Sequence, residues 1–299
     1  MRKEYYFKNN EFVIENFDTQ KTFTSFLPSI AGKKGVPAWA FYVNRGQAMS
    51  SFGVQDKNGA ILEFFPAYTA YQVVNKIGFR TFIKCKGKVH EIFGVENPKA
   101  KRNLYIQREQ IRIEEINKNL GLKIAVTYFG LPNMSIASLV RKVEITNYRK
   151  RPINFEVVDG LSQIFTPGTE HGTYKVMSNL LRSWMDVYNL DKNVAFYKNR
   201  ASTGDSAEVS AISEGNFYVS FTNDTLIKPI VDPSLIFGND KGYAIAKNFI
   251  ENDVETILNS YQNYANKVPC GFTLKSSSLK ENETLRINTI IGKRSPLTL

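Results

Sequence analysis

Apolar and polar residues alternate with a period of two along much of this chain. Leu122-Lys123-Ile124-Ala125-Val126-Thr127-Tyr128 puts apolar side chains on every second position, as a half-buried strand requires. Val143-Glu144-Ile145-Thr146 and Ile153-Asn154-Phe155-Glu156-Val157 repeat the pattern on either side of Asn147-Tyr148-Arg149-Lys150-Arg151-Pro152. That unit reads as two antiparallel strands joined by a basic loop of about five residues. Further strands are predicted at 12–14, 38–43, 60–65, 79–84, 104–107, 110–116, 207–212, 217–221, 271–274 and 285–291. Turn signals separate them at Asp56-Lys57-Asn58-Gly59, Glu214-Gly215-Asn216 and Asn239-Asp240-Lys241-Gly242. About fifteen or more short strands punctuated this way imply an all-β fold, a large antiparallel sandwich.

One segment departs from that rhythm. Tyr174, Met177, Leu180, Leu181, Trp184 and Val187 recur at three- and four-residue spacing, with Lys175, Ser178, Asn179, Arg182 and Asp186 opposite. With Thr173 as a cap, this predicts an amphipathic helix of about four turns. A weaker helical pattern runs over 248–267, with Ile250, Val254, Ile257, Leu258 and Tyr261 on one side. No repeat, linker or domain boundary interrupts the chain, which reads as a single domain over residues 1–299.

At 299 residues, 42% hydrophobic and 13% aromatic, the chain has ample material for a large core and is not a disordered one. Thirty-nine Lys and Arg against 28 Asp and Glu give a formal charge of +11. Such a balance suits an anionic partner, or an acidic domain that supplies the missing charge. The basic residues are spread out, with no run longer than Lys33-Lys34 or Arg149-Lys150-Arg151, so a solvated surface is expected rather than a nucleic-acid site. Cys85 and Cys270 stand far apart and outside any CxxC pattern, which suggests free thiols in a reducing compartment. With no apolar leader and no apolar run of membrane length, a cytoplasmic protein without membrane contact is expected.

Catalytic signatures are missing: there is no GxGxxG, Walker loop, HExxH or GxSxG, and no cofactor is implied. Gly32-Lys33-Lys34-Gly35 has the composition of an anion cradle, and equally that of a basic turn. His171 stands just before the predicted helix, where the helix terminus lowers an imidazole pKa, or else faces solvent in a loop. His90 sits in an apolar strand and reads as structural. Glu63, Asp159 and Glu170 are carboxylates of the kind glycoside hydrolysis needs in pairs, but nothing local pairs them.

The stretch Trp39–Gly53 (WAFYVNRGQAMSSFG) carries the most suggestive chemistry. Trp39 and Tyr42 offer flat apolar faces for a sugar ring, while Asn44, Arg45 and Gln47 offer forks for adjacent hydroxyls, with Arg80 as a further contributor. The same residues also read as a core strand followed by a polar turn that holds backbone carbonyls.

Phe26–Pro37 (FLPSIAGKKGVP) together with that stretch resembles the amino-terminal region of β-1,2-oligoglucan phosphorylases of glycoside hydrolase family 94. Asp56–Tyr71 (DKNGAILEFFPAYTAY), Gly78–Lys84 (GFRTFIK) and Val157–Gly168 (VVDGLSQIFTPG) agree with it. The strand pair 143–158 is similar to the supersandwich of galactose-mutarotase-like domains. The resemblance implies a β-supersandwich that packs on a separate (α/α)6 barrel, supports dimerisation and lends loops to sugar subsites. In that family the barrel supplies the general acid and the phosphate site, so no catalytic residue carries over to this chain. The implied partners are a β-glucan oligosaccharide, a barrel-bearing domain or chain and a second copy of the protein. Three functions follow as expectations: a phosphorylase piece inactive alone, an independent glucan-binding module, or a mutarotase-like sugar epimerase.

Overall fold

A computed structural model of the chain describes residues 4–31, 35–95, 100–168, 170–201, 208 and 212–294. The strand expected over 207–212 falls largely outside these residues, as do Gly32, Lys33 and Lys34 of the candidate anion loop. In chain order the first strands are β1 (Tyr5–Lys8), β2 (Glu11–Glu15), β3 (Thr24–Ala31), β4 (Val36–Val43), β5 (Met49–Val54) and β6 (Ala60–Leu62). Helix α1 (Ala67–Ile77) leads into β7 (Phe79–Cys85), β8 (Lys88–Ile92), β9 (Lys101–Ile106), β10 (Gln110–Asn117), β11 (Leu122–Gly130), β12 (Ala137–Asn147) and β13 (Ile153–Leu161). After α2 (His171–Arg182) come β14 (Met185–Tyr188), β15 (Ala195–Asn199), β16 (Gly215–Thr222), β17 (Thr225–Ile227) and β18 (Pro229–Ile230). Short helices α3 (Ser234–Phe237), α4 (Lys247–Glu251) and α5 (Val254–Asn259) precede β19 (Gly271–Leu279) and β20 (Thr284–Arg294).

The strands build the expected large antiparallel supersandwich with inserted helices. An 11-stranded sheet runs β1-β2-β9-β10-β11-β12-β20-β16-β15-β14, with β17 added beside β16. A five-stranded sheet runs β18-β19-β13-β7-β8, and a four-stranded one β3-β4-β5-β6. The alternation seen in sequence is the alternation of faces: Leu122, Ile124, Val126 and Tyr128 of β11 and Val143 and Ile145 of β12 all point into one core. That core also takes Phe52 and Leu62 from the small sheet and Phe79, Ile83, Phe155 and Val157 from the five-stranded sheet. All three sheets therefore bury their apolar faces together.

A polar knot sits inside this apolar core. The fully buried Arg141 of β12 donates from Nη2 to Asp159 Oδ1 of β13 at 2.7 Å and from Nε to Asp159 Oδ2 at 3.2 Å. Its Nη2 also reaches Gln47 Oε1 at 2.6 Å and Thr81 Oγ1 at 3.1 Å, and Nη1 donates to the Tyr128 hydroxyl. The guanidinium lies 4.7 Å from the Phe79 ring centroid. Arg141 belongs to the largest sheet, Asp159 and Thr81 to the five-stranded one, and Gln47 to the β4–β5 turn of the smallest. One buried ion pair with its hydrogen bonds thus ties the three sheets in register. Burial alone pushes the Arg141 guanidinium down, but Asp159 and Tyr128 beside it hold it above its ordinary value.

Four sequence expectations change. Strands β12 and β13 are consecutive but do not pair: β12 lies between β11 and β20, and β13 between β19 and β7. Residues 148–152 are therefore a crossover between sheets, because both strands bury apolar residues against each other across the sandwich. Asn147 fixes that corner, its Nδ2 donating to the carbonyls of Arg151 and Leu279 at 2.9 Å each. The helix predicted from Thr173 starts at His171 and ends at Arg182, and 185–188 is strand β14. Over 248–267 only α4 and α5 are helical, and Asp253 caps α5 by accepting from Thr256 N at 2.8 Å. Gly215 and Asn216, expected in a turn, begin β16.

Candidate functional site

The outer face of the small sheet carries a row of aromatic rings. On β4, Ala40 and Tyr42 face the main core, so Trp39, Phe41 and Val43 face the other way. Ring centroids lie 4.9 Å apart for Phe26 and Phe41, 5.4 Å for Phe41 and Phe64, and 6.0 Å for Trp39 and Phe64, the last pair edge to face. Helix α1 covers one end of the row, setting Ala70 and Val74 on Phe41 and Val43. It begins at Pro66, whose carbonyl accepts from Thr69 and Ala70, and ends where Gly78 leaves the helix. The row stays accessible at Phe26, which is 53% exposed, and Tyr68 on α1 itself is 74% exposed, while Trp39, Phe64, Phe65 and Tyr71 are half-buried. Trp39 Nε1 donates to the Asp56 carbonyl at 3.2 Å, which fixes the plane of its ring. A Cβ on Gly53 would come within 2.9 Å of the Trp39 ring and 2.5 Å of the Gly59 carbonyl, so only glycine leaves the indole in place.

Helix α2 supplies a polar rim to this shelf. His171 Nε2 donates to the Phe64 carbonyl at 3.2 Å, and its backbone N–H donates to Asn58 Oδ1 at 3.0 Å. Lys175 Nζ sits 5.1 Å from the Phe65 ring centroid and 4.0 Å from Glu63 Oε1. Arg182 Nε donates to the Tyr174 hydroxyl at 3.0 Å, and Tyr174 packs on Phe165 at 4.4 Å. Burial raises the Glu63 carboxyl above its ordinary pKa, although Lys175 and Arg182 pull the other way. Burial and the charge of Lys175 lower His171, against the pull of the Phe64 carbonyl. A carboxyl shifted upward and an imidazole shifted downward thus flank the same lysine. Shifted titratable groups beside an aromatic shelf mark a candidate site for a neutral polyhydroxylated ligand.

Of the six residues singled out in sequence, the structure brings only Trp39 to this shelf. Tyr42 is buried in the main core. Asn44 is fully buried, accepting from Phe23 N at 3.0 Å and donating to the carbonyls of Phe17 and Lys21 at 2.9 Å each. Gln47 belongs to the polar knot. Arg80, 2% exposed, forms a two-pronged pair with Glu91 at 2.7 and 2.8 Å and donates to the carbonyls of Tyr243 and Ala244. Asn44, Gln47 and Arg80 spend their hydrogen-bonding groups on the protein itself; Tyr42 as a core-strand residue and Asn44 in the turn fit the core-strand and polar-turn alternative. Arg45 is half-buried and holds the carbonyls of Asn44 and Gln20 at 2.7 and 3.1 Å. Sequence reasoning passed over Phe64, Phe65 and Lys175; the signal was Glu63-Phe64-Phe65-Pro66, aromatics placed just before a helix-starting proline.

Other candidates scatter. His90 lies in β8, Asp159 in the knot, and Glu170 is exposed at the start of α2. Among the described residues no group of three or more His, Cys, Asp or Glu is placed to hold a metal ion. No helix among them is long and apolar enough to cross a membrane.

No family model matches the sequence, and no curated protein matches it. Solved structures do. A polysaccharide lyase matches 87% of this chain at 11% identity and a TM-score of 0.41. A putative kojibiose phosphorylase from the human microbiome matches 95% at 11% identity and a TM-score of 0.33. A putative aldose 1-epimerase from Escherichia coli K12 matches 91% at 8% identity and a TM-score of 0.39. This chain spans 32% of the lyase and 29% of the phosphorylase, but 99% of the epimerase.

Proposed function

We propose that this chain is a carbohydrate-binding supersandwich domain whose ligand lies on the shelf of Phe26, Trp39, Phe64 and Phe65. The observation that carries this reading is that shelf: a row of partly exposed rings, with Trp39 oriented by its hydrogen bond to the Asp56 carbonyl, edged by Glu63, His171 and Lys175. Rings of this kind pack against the apolar face of a pyranose, and the rim groups meet its hydroxyls. The finer reading, a β-1,2-glucan phosphorylase domain that works beside a catalytic barrel, is supported by the sequence blocks at 26–53, 56–71, 78–84 and 157–168. Helix α2 also turns Val176, Met177 and Leu180 to solvent, at 86%, 44% and 47% exposure, which suits a face that more polypeptide covers. The test is calorimetric titration with short β-1,2-glucans, with cello-oligosaccharides as the control series. Selective binding that Trp39→Ala weakens about tenfold, in a variant that keeps its unfolding midpoint, is the expected result. Absence of binding in both series, or binding indifferent to Trp39, overturns it.

A second reading has its own observation. Glu63 and His171, displaced in opposite directions, both border Lys175, and an acid with a base is what opening a sugar hemiacetal requires. Acceleration of glucose anomer exchange by the wild type, lost in His171→Ala, would establish a mutarotase-like epimerase.

A further inference from the structure

Away from the residues of the aromatic shelf, three loops converge around a groove of about 630 Å3. The β7–β8 turn brings Lys86 and Lys88, the crossover from β12 to β13 brings Arg149, Lys150 and Arg151, and β8 adds His90. No carboxylate lines the groove. Elsewhere in the molecule, buried and half-buried cations carry partners: Arg80 pairs with Glu91, Arg102 with Asp18 and Glu115, Arg112 with Glu11, and Lys267 with Asp232. Among the described residues the five groove cations have no acidic partner. Glu156, the carboxylate of the adjoining surface, is engaged by Lys84 at 3.1 Å and by Val254 N at 2.8 Å.

The groove is built, not incidental. Arg149 is held along its wall by donating from Nη2 to the carbonyls of Lys118 and Asn119 at 2.7 and 3.0 Å. A Cβ on Gly121 would meet the Arg149 side chain at 2.2 Å, and Gly121 has φ +75°, so glycine both makes the β10–β11 turn and clears the arginine's path. The Asn147 side chain anchors the crossover through the Arg151 carbonyl and through Arg149 N, the latter at 2.8 Å. Lys86, Lys88, Arg149, Lys150 and Arg151 are all exposed, and a concave surface lined by one sign of charge concentrates counter-ions. The volume fits a small molecule, lysines serve as point charges for phosphate or sulfate, and arginines grip such groups by two bonds.

We propose that this groove binds a small polyanion carrying two or more phosphate or sulfate groups, at a site separate from the aromatic shelf. Titration of the whole chain with inorganic tripolyphosphate, at about 50 mM salt, tests it against orthophosphate. Tripolyphosphate should bind at least about tenfold tighter than orthophosphate, and Lys88→Ala with Arg151→Ala should remove most of that advantage. These side chains are exposed, so the unfolding midpoint should not move. Lys192→Ala with Lys241→Ala removes the same charge from exposed sites outside the groove and should leave binding intact. Competition by sucrose octasulfate assigns clustered anions of either kind; its failure confines the groove to phosphates. Equal weakening by both double variants, or no preference for tripolyphosphate, overturns the proposal.

Discussion

An amide or guanidinium in a sequence is a fork of donors and acceptors, and strands far away in the chain decide whether it meets solvent or backbone. Trp39 was singled out in sequence for its aromatic chemistry, but the run Trp39-Ala40-Phe41-Tyr42-Val43 is apolar throughout, so only the strand pairing shows which of its faces leaves the core. Asn44 and Gln47 have the composition of a sugar site, yet their partners, Phe17, Lys21, Thr81 and Arg141, come from 23 to 94 residues away, beyond the reach of local pattern. Burial also changes the chemistry of Glu63, at the edge of the shelf. Its folded pKa lies above the unfolded one, so the folded state binds more protons through the carboxylate range, and stability falls as pH rises through it. Glu63→Gln copies the protonated form. The variant should therefore gain on the wild type as pH rises from about 3 to 7, and match it at the acid end, in urea unfolding followed at each pH.

Helix α2 shows where periodicity serves and where it misleads. The three- and four-residue spacing correctly announced a helix but placed Leu180 and Leu181 together on the apolar face. Only Leu181 is buried, with Phe165, Tyr174, Met185 and Val268; Leu180 looks outward, beyond a departure from helical geometry at Met177. Leu181→Ala should cost about 2–5 kcal/mol by leaving a cavity. Leu180→Ala should stay within about 0.5 kcal/mol, and thermal unfolding of the two variants side by side separates them. The β12–β13 corner makes a similar point. Two amphipathic strands and a short loop spell a hairpin in sequence, because nothing local tells a turn within a sheet from a step between sheets.

For the whole molecule, strand content and antiparallel layering could be read from alternation alone. The division into three sheets could not, since it depends on pairings such as β2 with β9 and β12 with β20. The Arg141–Asp159 pair is the point where those sheets meet. Asp159→Asn leaves a buried guanidinium without its counter-charge and should cost about 3–5 kcal/mol. Denaturant unfolding measures that loss, and a single transition by fluorescence and circular dichroism alike would show the three sheets failing together.

Strand β20 lies at the centre of the largest sheet, between β12 and β16, and both of those strands precede it in the chain. A polypeptide leaving the ribosome therefore carries two open strand edges until residues 284–294 emerge. One of them, β12, has already placed Val143 and Ile145 for a core that its neighbour has yet to close. Such edges invite pairing with other chains. Synthesis thus supplies the keystone strand only after both of its neighbours, and the interval before it arrives is when the two edges stand open to other chains.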